Sequence, residues 1–222
     1  MLTEAFVPLL LTLKVAGCAT LVVLILGVAL AFVLARYRFW GRELLDAACT
    51  LPMVMPPTVL GYYILVLIGR RSAFGQWLED SFGIRLIFTW QGAVIASALV
   101  AFPLVFKAAR TAFESVEPQF ENAARVLGAS EWKVFFRVTL PLAWRGILAG
   151  TMLAFARAMG EFGATLMVAG SIPGKTQTIS IAIYEAVQSG QDDLANFLVL
   201  LTSIVCITAL IASGKLLQRS PR

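Results

Sequence analysis

The sequence contains no histidine, only three cysteines and few charges: Asp, Glu, Lys and Arg make up 14% of 222 residues, against 59% hydrophobic. Each scarcity excludes something. With no histidine, no CxxC, and Cys18, Cys49 and Cys206 far apart, no metal-ligand spacing exists and no cofactor is expected. The cysteines read as small core residues. A membrane-embedded enzyme would need a nucleophile–base set, and scattered carboxylates do not supply one. A soluble globular domain of this length needs more polar surface than the chain carries.

What the chain has instead is uninterrupted apolar sequence. Charge-free windows run Val15–Ala35, Ala47–Gly69, Leu86–Phe106 and Leu194–Gly214, each 21 to 23 residues long. About 20 such residues cross a bilayer core. A fifth stretch, Gly146–Ser171, is interrupted by Arg157 and Glu161. The expectation is an all-α integral membrane protein, one domain over 1–222, with about five transmembrane helices at 13–35, 47–69, 86–106, 146–170 and 194–216. "MLTEAFVPLL" has an acid where a signal peptide has bases, and the apolar run after it is too long for one. Of 18 Lys and Arg, 12 fall in 35–45, 107–145 and the C-terminal tail, and five on the alternate side. The positive-inside rule then predicts an outer N-terminus and an inner C-terminus.

The long 107–145 connection has helical patterning of its own. Phe120, Ala123, Ala124 and Leu127 stand at i, i+3, i+4, i+7, Pro118 suits a first helical position, and Glu121 lies near the positive end of the helix dipole. Gly128 can end that helix in the left-handed conformation. A second helix is expected from Glu131, with Trp132, Phe135, Phe136 and Thr139 on one side, ending at Leu140-Pro141.

Two membrane segments are irregular. Pro52, Pro56 and Pro57 prevent an unbroken helix through "LLDAACTLPMVMPPTVLGYY", and broken backbone at membrane depth belongs inside protein or beside a water-filled path. Pro56, Pro57 and Thr58 are therefore candidate pathway or gate residues; a plain helix start below the membrane is the alternative. In the fourth segment Gly146, Gly150, Ala154 and Ala158 repeat every four residues, a seam for close helix packing. Arg157 and Glu161 follow, four residues apart. Ionisable groups at that depth are costly, so they form either a mutually satisfied structural pair or part of a path in which Arg157 suits an anion.

Glu121, Ala123, Ala124 and Gly128, then nine residues, then Val138-x-Leu140-Pro141, resemble the "EAA" signature of ABC-importer permeases. Asn122 departs from it, standing where an alanine is common. Around the two irregular segments, "LLDAACTLPMVMPPTVLGYYILVLIGRRSAFG" and "FARAMGEFGATLMVAGSIPGKTQTISIAIYEAV" resemble the molybdate-transport permease family, and with the EAA stretch the likeness covers almost the whole chain.

The resemblance implies a type I ABC-importer permease fold in the bacterial inner membrane, without catalysis of its own. It makes the 117–141 loop the coupling element for a cytoplasmic ATPase dimer, carried by Glu121, Ala123, Ala124, Gly128, Leu140 and Pro141. It implies a homodimer, a periplasmic molybdate-binding protein, the lipid bilayer as surroundings, and no nucleic acid. Substrate would cross at the dimer interface, and a tetrahedral dianion needs donors such as Thr58, Ser97, Thr151 and Thr165. Tungstate and sulfate or thiosulfate permeases share much of the pattern. A self-contained secondary transporter would show an internal repeat, and none is visible.

"AGSIPGKT", Ala169–Thr176, nearly matches a nucleotide-binding loop. No strand precedes it, Pro173 removes a backbone N–H, and the charge rule puts it outside. The expectation is an extracytoplasmic turn and a motor on another chain.

Overall fold

The structure, a computed structural model, describes residues 2–218, and every regular element among them is helical. In chain order these are α1 (Leu2–Arg36), α2 (Arg42–Val54), α3 (Pro57–Ile68), α4 (Ala73–Phe82), α5 (Trp90–Glu114), α6 (Pro118–Val126) and α7 (Glu131–Val134). A π-turn (Phe135–Thr139) joins α7 to α8 (Leu140–Met159), followed by α9 (Gly163–Ala169), α10 (Ile179–Gln188) and α11 (Asp192–Gln218).

The central element is α5, which packs against α1, α2, α3, α8 and α9. Its sequence explains why: Ala93, Ala96, Ala101 and Ala109 are fully buried, and side chains this small let neighbouring backbones come close. The small-residue seam of α8 meets it there. A Cβ added at Gly146 would stand 2.6 Å from the Ala112 Cβ, and one at Gly150 would collide with Ala108. Phe106 and Phe113 of α5 join Leu34 and Ile147 in a second cluster towards the Lys/Arg-rich end, and Phe32 and Phe135 cross Phe113 at ring edges or at a tilt. The outer faces are apolar: Phe6, Leu21, Ile25, Val66, Leu67 and Leu200 are all exposed. Hydroxyls on these helices are satisfied internally, as where Thr20 donates to Ala16 O at 2.7 Å and Thr202 to Leu198 O at 2.7 Å. That is the arrangement lipid requires.

Among the described residues, three helices are by themselves long and apolar enough to cross a membrane: the greater part of α1, then α5, and the continuous helix Glu131–Met159. The expected span at 47–69 is instead two helices, α2 and α3, bent by 118° at the Met55–Pro56 junction. Prolines explain the position. Pro57 starts α3 where its missing N–H is harmless, whereas Pro52 is accommodated inside α2. The expected span at 146–170 is also broken, at Gly160–Phe162 between α8 and α9. The first helix begins well before 13, at Leu2, and the third runs from Trp90, because Thr89 Oγ1 caps it by accepting from Gly92 N at 3.2 Å. The window 194–214 lies inside α11.

Two short helices were not anticipated, and both are at the end opposite the EAA stretch. Ser72 caps α4, accepting from Gly75 N at 2.8 Å, and Gly83 closes it at φ 66°. Slight desolvation would raise the Glu79 carboxyl, but Arg70 and Arg85 beside it hold it below the usual range. The cap of α10 comes from a distant helix: the Ile179 N–H donates to Thr12 Oγ1 of α1 at 2.8 Å.

Candidate functional site

The EAA stretch folds as a helix, a left-handed glycine and a second helix. Pro118 occupies the first turn of α6, and Gly128 adopts φ 82°, which any β-carbon would resist. The apolar side of α6 faces outward. Phe120, Val126 and Leu127 are exposed, Leu127 at 87%, and Ala123 is exposed beside them. The acid is what is buried. Glu121 is 5% exposed; its Oε1 accepts from Thr139 Oγ1 at 2.6 Å and pairs with Arg36 Nη2 at the end of α1. Arg125 is turned towards Glu131, which it meets at 2.8 and 3.1 Å; that hydrogen bonding raises the Arg125 guanidinium above its usual value.

The second helix does not stop at Leu140-Pro141. It continues into α8 because the π-turn accommodates the proline: Leu140 N–H bonds to Phe135 O, five residues back, in the stretch where Pro141 disrupts the ordinary ladder. Leu140 packs against the cluster around Phe113, and Pro141 is exposed.

The two helix breaks come together. A Cβ at Gly163, the first residue of α9, would lie 3.2 Å from Pro57 Cβ and 3.5 Å from Thr58 Cγ2, the first residues of α3. Pro56 and Thr58 are exposed on this junction. Glu161 sits at the other side of the α8–α9 break, outside any helix. Its Oε2 lies 2.8 Å from Arg157 Nη1, and its Oε1 accepts the Ala164 N–H at 2.9 Å, so it caps α9 as well as pairing with Arg157. The pair therefore spans a break and not a helical turn. Its members differ in exposure, 36% for the Arg157 side chain and 1% for Glu161.

The hydroxyls expected to be available to an anion are mostly engaged. Thr165 is fully buried, with its Oγ1 3.5 Å from Ser97 Oγ, and Thr151 donates to Ile147 O at 2.7 Å. Thr58 remains exposed at the junction.

A set of charges that the apolar windows do not reveal ties α2 to α5. Asp46 accepts from Lys107 Nζ at 3.0 Å and pairs with Arg110; Glu114 takes Arg110 Nε at 2.9 Å and Arg42 Nη2 at 3.3 Å. A signal existed, since Lys107, Arg110 and Glu114 share one helix face. Its partners Arg42 and Asp46 on α2, 61 to 72 residues earlier, have no local cue.

The nucleotide-loop lookalike is a closed turn. The N–H groups of Lys175, Thr176 and Gln177 all bond to Ile172 O, at 3.0, 2.9 and 3.2 Å, so none is turned to a phosphate. Thr176 is fully buried.

Similarity to known proteins agrees with this geometry. The chain is 48% identical over 193 residues to a putative molybdenum transport system permease protein of Bacillus subtilis, covering 87% of this chain and 85% of that one. It is 46% identical over 205 residues to the molybdenum transport system permease protein ModB of Escherichia coli, covering 91% and 90%. A sulfate transport system permease protein of Escherichia coli is 38% identical, covering 74% of this chain and 59% of its own length. In fold, the chain matches a bacterial alginate ABC transporter with a TM-score of 0.79 at 16% identity, over 98% of this chain and 80% of that one. It matches the MetNI methionine ABC transporter at 0.70 and 16% identity, over 100% and 96%. Residues 24–222 match the family described as binding-protein-dependent transport system inner membrane component, and the chain belongs to that family: it is a permease subunit with the type I ABC-importer fold.

Proposed function

We propose that this permease imports molybdate across the bacterial inner membrane as a homodimer, driven by two copies of a cytoplasmic ATPase and fed by a periplasmic molybdate-binding protein. The N-terminus lies outside and the EAA stretch inside. The observation that carries the reading is α6: its one buried acid holds it to the bundle, while Phe120, Ala123, Val126 and Leu127 present an apolar face to water. An exposed apolar face on a well-anchored helix is what a protein partner covers. Gly128 lets the chain reverse between that helix and α7, which leads through the π-turn into α8.

From α8 the motion reaches the junction of breaks. There α3 and α9 begin side by side at Pro57 and Gly163, with Thr58 exposed and Glu161 already holding the Ala164 N–H at the start of α9. Pro56, Pro57, Thr58, Arg157 and Glu161 belong to this region; Thr165 stands behind it, against Ser97. The relatives at 44–48% identity are molybdenum permeases, which supports molybdate as the anion; sulfate permeases at 38% stand level with a further molybdenum permease at 37%. The test is ATP-driven uptake in proteoliposomes with the cognate binding protein, comparing molybdate, tungstate and sulfate. Molybdate is expected to be taken up in preference to sulfate. Equal or preferred sulfate uptake overturns the assignment of the anion, and ATP-independent uptake overturns the assignment of the motor.

A further inference from the structure

We infer that Glu121 works from inside the permease: with Arg36 and Thr139 it forms a latch that fixes the coupling helix α6 to the end of α1 and the start of α8, leaving the ATPase to meet only the outer apolar face. This rests on the coupling role proposed above and names the positioning residues behind it.

The first ground is enclosure. Glu121 is 5% exposed, and its Oε1 takes both Arg36 and the Thr139 hydroxyl. Its Oε2 lies 3.8 Å from Arg125. A carboxylate so occupied presents almost nothing to a second protein, whereas Leu127 and Val126 beside it are each 87% exposed. Charge-assisted hydrogen bonds are also roughly twice as strong as neutral ones, so these contacts tie α6 firmly to the bundle.

The second ground is the π-turn. Thr139 is 1% exposed and closes the π-turn whose five-residue bond runs from Leu140 N–H to Phe135 O. One extra residue in a helix rotates the segment before it by about 100° relative to the segment after it. The turn therefore sets which face of the α7 segment, and which side of Thr139, α6 meets. Turns of this kind inside α-helices occur frequently at functional sites.

The third ground is connectivity. Arg36 is the last residue of α1, 85 positions before Glu121, and Thr139 lies 18 positions after it at the entry to α8. A load applied to α6 is thus divided between the two helices that pack most extensively on α5. A 260 Å³ polar cleft beside the latch is lined by Arg36, Tyr37, Arg125 and Glu131 among others, and Arg125 lies between Glu131 at 2.8 Å and Glu121 at 3.8 Å.

The experiment uses the full transporter in proteoliposomes with molybdate and its binding protein, and reads two quantities: the ATPase that copurifies with the permease, and molybdate taken up per ATP hydrolysed. Glu121→Gln, Arg36→Met and Thr139→Val are expected to keep the ATPase bound while uptake per ATP falls by about tenfold, the fold-change of one lost hydrogen bond to a charged group. Arg36→Lys, which keeps the cation, should recover most of it. Should Arg36→Met fail to insert, Thr139→Val and Arg36→Lys carry the same comparison without leaving a buried charge unpaired. Loss of ATPase copurification in Glu121→Gln but not in Arg36→Met would mean that Glu121 faces the ATPase, and would overturn the latch. Unchanged uptake per ATP in both Arg36→Met and Thr139→Val would overturn it too. A separate variant, Leu127→Asp, tests the coupling role itself. Full ATPase binding and transport there would remove that role, whatever the latch variants do.

Discussion

Replacing Arg157 should harm the protein more than replacing Glu161, although the two form one ion pair. Glu161 is 2% exposed, with Oε2 2.8 Å from Arg157 Nη1 and Oε1 on the Ala164 N–H at 2.9 Å. In Arg157→Met the carboxylate stays buried with a single backbone donor, and breaking a buried pair in this way costs about 3–5 kcal/mol. In Glu161→Gln the amide oxygen still caps α9. The cation left behind has a side chain 36% exposed and can reach polar surroundings, so the cost is about 1–2 kcal/mol. The double variant leaves no uncompensated charge and should lie near Glu161→Gln. The assay is the thermal midpoint of the detergent-solubilised transporter by tryptophan fluorescence, with uptake measured in parallel. At about 2–4 °C per kcal/mol for a chain of this size, Arg157→Met should lower the midpoint by roughly 6–20 °C. The reasoning is refuted if Glu161→Gln is as damaging as Arg157→Met, or if the double variant equals the sum of the singles. A stable double variant that transports no better than Arg157→Met would instead make Arg157 a contact for the anion.

Topology can be read by labelling. Ser130 and Lys175 are both exposed, and in Ser130→Cys and Lys175→Cys only the second should react with an impermeant thiol reagent added to intact cells. Equal reaction at both would sink the proposed orientation. Thr176 is useless for this purpose, being fully buried. Gly128→Val places a β-branched residue at φ 82°, at a cost of about 1–3 kcal/mol, and should leave an inserted permease with ATP hydrolysis uncoupled from uptake; normal coupling would show that the turn carries no load. Gly150→Leu should drive α8 off Ala108 of α5, with destabilisation of at least about 1–3 kcal/mol and less assembled protein in the membrane. Wild-type yield and midpoint would contradict the close packing of those two helices.

The sequence by itself determined the class of the protein and the features with a local cause. Long charge-free windows need lipid; Pro56-Pro57 must interrupt a helix; Gly128 is free to reverse the chain. Each depends on residues within a few positions, and the bend of 118° and the φ of 82° lie where those residues are. The small-residue seam of α8 was legible for the same reason, since Gly146 and Gly150 fall on one helix face. The break at Gly160–Phe162 was not, because it has no proline and is instead held by the Glu161 carboxylate on the Ala164 N–H. The passage of the helix through Pro141 was equally hidden, since proline reads as a stop unless a π-turn shifts the hydrogen-bond register ahead of it. Only the tertiary structure decided the orientation of α6. Its spacing puts Phe120 and Leu127 on one side without saying which way that side faces; the structure turns it outward and pairs Glu121 with Arg36, 85 residues away. Glu121 is tolerated inside because Arg36 and Thr139 partner it there, and both partners come from distant parts of the chain.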